Sequence, residues 1–401
     1  MDRFLKKMIF AIPSIKKRFD KVSNERLGYK TYIIDQLDKM HEDIVMSLWN
    51  PNHVRKQWVC LRPFITATVE ATGDVCLCCN NWLKQTNHGS FYAGNIFTDS
   101  IDKIWNSDNA KKLRYSVSQG NFEYCNGTCV HLQDPHKTPE IMIPREKFKP
   151  NFNSWQDCQQ NILPARLEVK IDSTCNLHCI MCRNNVINNA DKNEKINYIL
   201  ENFVRPNLKD CKILNFDGNG EFLASKPYLR FLKSISKQQF PSLILALRTN
   251  GQLFTPKKWN ELFNLKGMDI YLEVSIDAAS KDVYEKIRRG GKWETISRNM
   301  EYISTLRTSG SIKNLKLNYV MLKNNFHQME KYIDLARKWH ADYVHFLRLF
   351  SCGTFSPEEF SAQDVFSLNN PLRLEAIKII KKILNETSDI LITVEGLADL
   401  T

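Results

Sequence analysis

The sequence predicts an α/β protein: a partial (βα)6 barrel of the TIM type, preceded by a small cysteine-rich α+β region. Three observations carry that expectation. Between residues 160 and 350, six short runs of β-forming residues alternate with helical patterns, and regular alternation argues for βαβ units and a parallel sheet. The segment 55–150 lacks that alternation and is rich in cysteine, glycine and aromatic residues. The chain has 401 residues, 43% hydrophobic and 25% charged, the length and make-up of about two or three domains with their own cores.

Taken in order, residues 1–54 read as a basic helical segment. Arg3, Lys6, Lys7, Lys16, Lys17 and Arg18 interleave with Phe4, Leu5, Ile9, Phe10, Ile12 and Ile15. Over 1–30 this suits an amphipathic helix making peripheral contact with an anionic membrane surface. Pro13 interrupts it, and a solvated helix packed on the protein suits it equally. Within 55–150 a strand is expected at 64–70. The barrel strands are expected at 166–171, 212–216, 243–247, 270–276, 315–322 and 343–349, with helices at 227–236, 295–307 and 328–339. The C-terminal extension, 351–401, holds a loop, an amphipathic helix near 372–384 and a short strand-like end.

No apolar run approaches the roughly 18–20 residues that span a bilayer. The apolar stretch 8–12 is broken by Pro13 and has no small-residue cleavage site after it. A cytoplasmic location, with membrane association only through 1–30, is the expectation. The net charge of +12 is scattered and accompanies no recognition motif, so nucleic acid is not an expected partner.

Twelve cysteines in a chain without an export signal read as reduced thiols and metal ligands rather than disulfides. Directly after the first barrel strand comes Thr174-Cys175-Asn176-Leu177-His178-Cys179-Ile180-Met181-Cys182. Thiolates this closely spaced suit an iron–sulfur cluster, and three ligands on a four-iron cubane leave one iron open. A zinc knuckle, with His178 as a strained fourth ligand, is the alternative. In a barrel of this type the loops after the strands build the site, so residues after each run should converge. Those segments are Asp217-Gly218-Asn219-Gly220-Glu221, Arg248-Thr249-Asn250-Gly251, Ser275-Ile276-Asp277-Ala278 and Lys286-Ile287-Arg288-Arg289-Gly290-Gly291.

On these motifs, over about 160–350, the chain resembles the radical S-adenosylmethionine (radical SAM) superfamily. The resemblance implies a [4Fe–4S] cluster on Cys175, Cys179 and Cys182, with SAM chelating the open iron and cleaved to a 5′-deoxyadenosyl radical that abstracts a substrate hydrogen. It also implies SAM contacts from Gly220 and Glu221 (methionine amino group), Asn250 (in the family's Thr-Asn-Gly segment), Ser275 and Asp277 (ribose and methionine), and Arg288 (carboxylate). An acceptor-only carboxylate suits an ammonium, and a guanidinium fork suits a carboxylate. Met181 stands where the family often has an aromatic residue, and Asn219 where it has its first glycine.

Upstream lie Cys60, Cys76, Cys78, Cys79, Cys125 and Cys129. With Gly73, Gly94-Asn95-Ile96 and Ile104-Trp105-Asn106-Ser107, their spacing is similar to the SPASM/Twitch auxiliary-cluster domains, which usually follow the barrel and here precede it. One auxiliary [4Fe–4S] cluster on Cys60, Cys78, Cys125 and Cys129 is expected, with Cys79, then Cys76, as rivals to Cys78. A four-cysteine zinc site is the alternative. Cys158, Cys211 and Cys352 are ordinary thiols by default, although Cys352 is also the candidate hydrogen-atom donor and Cys158 a distant candidate ligand.

The resemblance implies a radical SAM oxidoreductase served by an external one-electron reductant of flavodoxin or ferredoxin type. A small-molecule or glycan substrate, oxidised or epimerised in a surface-polysaccharide or related pathway, is the first expectation. Maturation of a ribosomally made peptide is the second, and a non-catalytic iron–sulfur scaffold the third.

Overall fold

The computed structural model describes residues 56–79, 83–86, 89–126, 129–133, 140–216, 219–387 and 389–397. The basic segment 1–54, with the membrane contact expected of 1–30, lies outside the described residues.

Ten strands make one sheet. The cysteine-rich region supplies β1 (Thr66–Glu70), β2 (Asp74–Cys76) and β3 (Gly94–Asn95). The rest are β4 (Arg166–Lys170), β5 (Ile213–Phe216), β6 (Ile244–Thr249), β7 (Asp269–Ser275), β8 (Asn314–Met321), β9 (Tyr343–Arg348) and β10 (Leu391–Glu395). Their order across the sheet is β10-β9-β8-β7-β6-β5-β4-β1-β2-β3. From β4 to β10 every pairing is parallel. β1 adds to β4 in parallel, with Thr68 opposite Glu168, and β2 and β3 follow antiparallel. The sheet therefore runs without a break from the cysteine-rich region into the barrel.

The strands show why this sheet curls into a barrel wall. Alternate residues such as Leu245, Leu247, Leu272, Val274, Leu315, Leu317 and Phe346 are buried, packed toward the helices. The residues between them are polar: Arg248, Glu273, Lys316, Asn318, His345, Thr393 and Glu395. A flat sheet with helices on both faces would carry near-continuous apolar runs. A one-sided pattern leaves the polar face to an open lumen.

The helices outside the wall are α2 (Asn193–Ile199), α3 (Lys226–Lys233), α4 (Trp293–Thr308), α5 (Met329–Lys338) and α6 (Arg373–Glu386), while α1 (Asp108–Ser118) belongs to the cysteine-rich region. α5 buries Met329, Tyr332, Ile333 and Ala336, the spacing of one helical stripe. The six expected barrel strands stand within two residues of their expected bounds, and the strand-like C-terminal end becomes β10, a seventh parallel strand.

The strand expected at 64–70 needs correction. Arg62–Ile65 is a helical turn with Pro63 in its first positions, and β1 begins at Thr66. Proline fixes φ and has no ladder N–H to give, so it favours the turn and delays the strand.

Candidate functional site

The cysteine loop after β4 is pinned from several elements. Ser225 caps α3 by accepting the Tyr228 N–H at 3.2 Å, and the Tyr228 hydroxyl accepts the N–H groups of Ile171 and Asp172 at 3.2 and 3.1 Å. Asp172 accepts from the Thr174 N–H and the Asn189 amide, both at 2.9 Å. The Cys175 N–H then donates to Ile187 O, His178 to Arg289 O and Ile180 to Ile287 O. The loop is thus threaded between the ends of three neighbouring segments.

The structure brings most of the expected residues to this loop. The Asn250 amide donates to Asn176 at 2.9 Å and reaches the Cys175 sulfur at 3.8 Å. Arg288 points an Nη at the Cys179 sulfur, 3.7 Å away, while its other Nη pairs with Asp277 at 2.5 Å. Arg183, absent from the expected set, donates to Ser173 O and Asn219 O, both at 2.6 Å, and to the Cys182 sulfur at 3.4 Å. Two guanidiniums therefore stand on the sulfurs, where they offset the charge of a thiolate-held cluster.

Other expected residues have geometries the sequence did not convey. Gly220 lies against the loop itself: a Cβ there would stand 2.6 Å from Thr174 O and 2.7 Å from Asp172 O. Its glycine character serves the approach of two backbones. Glu221 is buried and accepts from the Thr249 hydroxyl at 2.8 Å, the Asn250 N–H at 2.6 Å and the Leu223 N–H at 3.2 Å. Burial pushes its carboxyl up to about 7 against those bonds. Asp277 is fully buried with φ +61. It accepts the Val320 N–H at 2.8 Å, so its carboxylate braces Arg288 and β8. Ser275 faces the lumen beside Asn318. Cys352, on the loop after β9, hydrogen-bonds Cys182, and that bond does most to pull Cys182 down to about 5, against burial and with help from Arg183.

The second cysteine set forms a separate site. Cys60, Cys78, Cys125 and Cys129 line one cavity, walled also by Pro63, Leu83, Leu113, Val117, Phe122, His131 and Leu132. Cys76 and Cys79 are turned elsewhere: the Cys76 thiol donates to Cys78 O at 2.8 Å, and the Lys170 ammonium lies 3.3 Å from the Cys79 sulfur. Gly73, with φ +92, closes the β1–β2 turn where Phe97 would strike any Cβ. Trp105 anchors the region by donating to Ile162 O at 2.9 Å. Burial drives the Cys60 thiol up to about 12. Among the described residues no three His, Cys, Asp or Glu side chains close on a single-ion site. The donors present, soft sulfur on an apolar wall in one site and sulfur flanked by arginines in the other, fit iron–sulfur clusters. Beside the loop, the buried Arg288 Nε–H has no protein partner, which leaves a donor for an anionic group.

The polar face of β6–β10, which lines the lumen, is a feature that sequence reasoning overlooked. Glu273 accepts from Arg248 at 3.0 Å, Lys316 at 3.4 Å and Asn318 at 3.2 Å. Burial raises its carboxyl, but Arg248 and Lys316 outweigh it and hold it well below the usual range. His345 bonds Thr393 at 2.7 Å and Glu395 at 3.0 Å. The available signal was charged residues at every second strand position.

A curled parallel sheet with a three-cysteine loop at its strand ends and a cysteine cavity at its edge defines a two-site iron–sulfur barrel protein. Residues 169–336 match the model of the radical SAM superfamily, and residues 60–130 match that of the SPASM iron-sulfur cluster-binding domain, so the chain carries a radical SAM domain with a SPASM domain ahead of it. Its cofactors are accordingly a SAM-binding [4Fe–4S] cluster, SAM and auxiliary iron–sulfur chemistry. No curated protein matches the chain.

Solved structures similar to it include Streptococcus suis SuiB bound to precursor peptide SuiA, at 14% identity over 72% of this chain and 62% of that one, TM-score 0.39. Another is anSMEcpe with bound AdoMet and Cp18Cys peptide, at 15% identity over 57% of this chain and 62% of that one, TM-score 0.38. TYW1 with a lysine-pyruvate adduct is similar at 17% identity over 53% and 70%, TM-score 0.33. The chain thus spans less than two thirds of the SuiB and anSMEcpe chains. No helix among the described residues is long and apolar enough to cross a membrane.

Proposed function

We propose that this protein is a radical SAM oxidoreductase that oxidises a polar substrate held in the barrel lumen. The observation that carries the reading is a combination: an arginine-flanked cysteine loop at the barrel strand ends, an acid–base-lined face on β6–β10, and a cavity lined by Cys60, Cys78, Cys125 and Cys129. When bound, SAM on the loop cluster would supply a 5′-deoxyadenosyl radical for removal of one substrate hydrogen, and an auxiliary cluster would offer an acceptor for the remaining electron.

The chain's own residues do the rest. Cys175, Cys179 and Cys182 hold the loop cluster; Cys60, Cys78, Cys125 and Cys129 hold the auxiliary one. Arg288, fixed by Asp277, offers its free N–H to the SAM carboxylate. Glu221 holds the Thr249–Asn250 segment against the loop, and Gly220 lets the β5 loop close on it. His345, kept neutral by burial, engages Thr393 and Glu395 through its two ring nitrogens and so orients the Glu395 carboxylate, which accepts the proton that leaves the substrate. A flavodoxin- or ferredoxin-type reductant supplies the first electron.

A peptide is the substrate class favoured. β10 ends the sheet and, among the described residues, pairs only with β9, so its free edge can take an extended chain by main-chain hydrogen bonds. A carbohydrate is the second reading, supported by Tyr271, whose ring on the lumen side of β7 is 41% exposed and offers a flat stacking face.

The test is anaerobic reconstitution with SAM and a strong reductant, then incubation with short precursor peptides encoded beside the gene and, separately, with nucleotide sugars. The expected result is 5′-deoxyadenosine and a peptide product lighter by two hydrogen atoms. No 5′-deoxyadenosine from a reduced, iron-complete protein ends the enzymatic reading, and turnover of sugars alone replaces the peptide with the carbohydrate.

A further inference from the structure

Arg62 is an unusual residue to find in the wall between the cysteine cavity and the barrel. It follows the cavity-lining Cys60 by two positions and precedes the cavity-lining Pro63, and its backbone N–H donates to the Cys60 sulfur. Its residue surface is 9% exposed, so the cation has been taken out of water. One Nη bonds the Glu168 carboxylate at 2.8 Å, while its Nε–H finds no protein partner.

Glu168 belongs to β4, the strand that leads into the SAM cysteine loop. It is held in turn by Arg166 at 3.0 Å and by the Thr68 hydroxyl at 3.0 Å. A buried ion pair fixed this firmly does not come cheaply, since desolvation of both charges opposes it. Packing alone would be served as well by apolar side chains. The charge borders the cavity: Arg62 stands between the lining residues Cys60 and Pro63 and is turned to the Glu168 carboxylate on β4 at 2.8 Å.

We propose that Arg62 sets the reduction potential of the auxiliary cluster, holding it high enough to accept an electron, and that Glu168 positions Arg62 from the barrel wall. The inference rests on the reading of Cys60, Cys78, Cys125 and Cys129 as cluster ligands. Reduction adds one negative charge to the cluster, and a nearby cation in a low-dielectric wall stabilises that state more than the oxidised one. Arg62 is in this sense a positioning residue for charge, and the readout is a potential rather than turnover.

The test uses the full chain with Cys175, Cys179 and Cys182 replaced by Ala, so that only the auxiliary cluster gives a signal, and follows its reduction by EPR-monitored potentiometric titration. Arg62→Gln shifts the potential to more negative values, Arg62→Lys shifts it less because the charge is kept, and Glu168→Gln, which keeps an oxygen acceptor to position the guanidinium but removes the opposing charge, shifts it to more positive values. An iron-complete Arg62→Gln protein with an unchanged potential overturns the proposal. If Arg62→Gln fails to hold iron, an iron-complete Glu168→Gln protein with an unchanged potential overturns it instead. A parent protein that takes zinc or no iron removes the auxiliary cluster, and this inference with it, while leaving the reading of the SAM loop in place.

Discussion

The two cysteine sites differ in how each treats charge. The loop site is partly open, and two guanidiniums, Arg288 and Arg183, stand on its sulfurs at 3.7 and 3.4 Å. The cavity site is walled mostly by apolar residues together with His131, and the Arg62 cation stands at its border. Burial drives Cys60 up to about 12 and raises Cys175 and Cys179 in the loop as well, whereas the Cys352 thiol and Arg183 draw Cys182 down. On the function proposed above, the first site would hold negative charge beside an exchangeable ligand, and the second would enclose a group that is assembled once and left in place. The two are joined through β4, which carries Glu168 toward Arg62 and leads into the cysteine loop.

The largest expected effect separates their jobs. Ala at Cys175, Cys179 or Cys182 abolishes 5′-deoxyadenosine formation and removes one cluster's iron. Ala at Cys78 removes the other cluster's iron while SAM cleavage in the absence of substrate stays within a few-fold of wild type. Iron analysis beside chromatography of the nucleoside checks both arms. Equal loss of SAM cleavage from the two sets would show that the sites are not independent.

Much of this division can be read from residue order. Each barrel strand announces itself through alternation, and Cys175, Cys179 and Cys182 declare their loop through spacing alone. What could not be read are matters of tertiary packing. Asp277 and Arg288 are eleven positions apart, and nothing local says that they pair; the pairing arises because the chain at Asp277 turns through positive φ toward Val320. Gly220 was legible as a glycine that permits close approach, but not that the partner is the loop at 172–174. α1 was missed although Ser107 caps it and Ala110, Leu113 and Val117 mark its buried side. The surrounding glycines and cysteines masked a short helical stripe.

The next effect sets the carboxylate beside the loop site, Glu221, against the one that holds Arg62 at the cavity site, Glu168, with opposite signs. Glu221 is raised to about 7 by burial. Its folded form therefore binds a proton more tightly than the unfolded chain, and stability falls as pH rises from 4.5 to about 7, then levels. For Glu168, burial raises the carboxyl, but Arg62, Arg166 and Lys170 hold it down at about 2. Its contribution is complete above pH 4.5 and is lost as pH falls toward 2. Both residues are almost wholly buried, and each dependence is worth on the order of 3 kcal/mol. Urea midpoints of the apoprotein across pH check this. Glu221→Gln should gain on wild type between pH 5 and 8, and the deficit of Glu168→Gln should shrink from pH 6 to 3. Parallel curves for either variant would show that its charge is not what the fold responds to.

The smallest expected effect is the finest test of the cavity. Cys78 and Cys79 are adjacent in sequence, and in an extended or turning chain adjacent side chains diverge, so only one of them can serve the cavity. Cys78 lines it, while the Cys79 sulfur lies 3.3 Å from the Lys170 ammonium on β4. Ser at Cys79 keeps a polar acceptor for Lys170 and touches no cavity wall. The iron per chain should equal that of wild type and the stability should stay within about 1 kcal/mol. Ser at Cys76 behaves alike, because its hydroxyl can donate to Cys78 O as the thiol does at 2.8 Å. Ser at Cys78 should lose the auxiliary iron. A loss at Cys79 with retention at Cys78 would invert the ligand assignment and turn the β2 end by one residue toward the cavity.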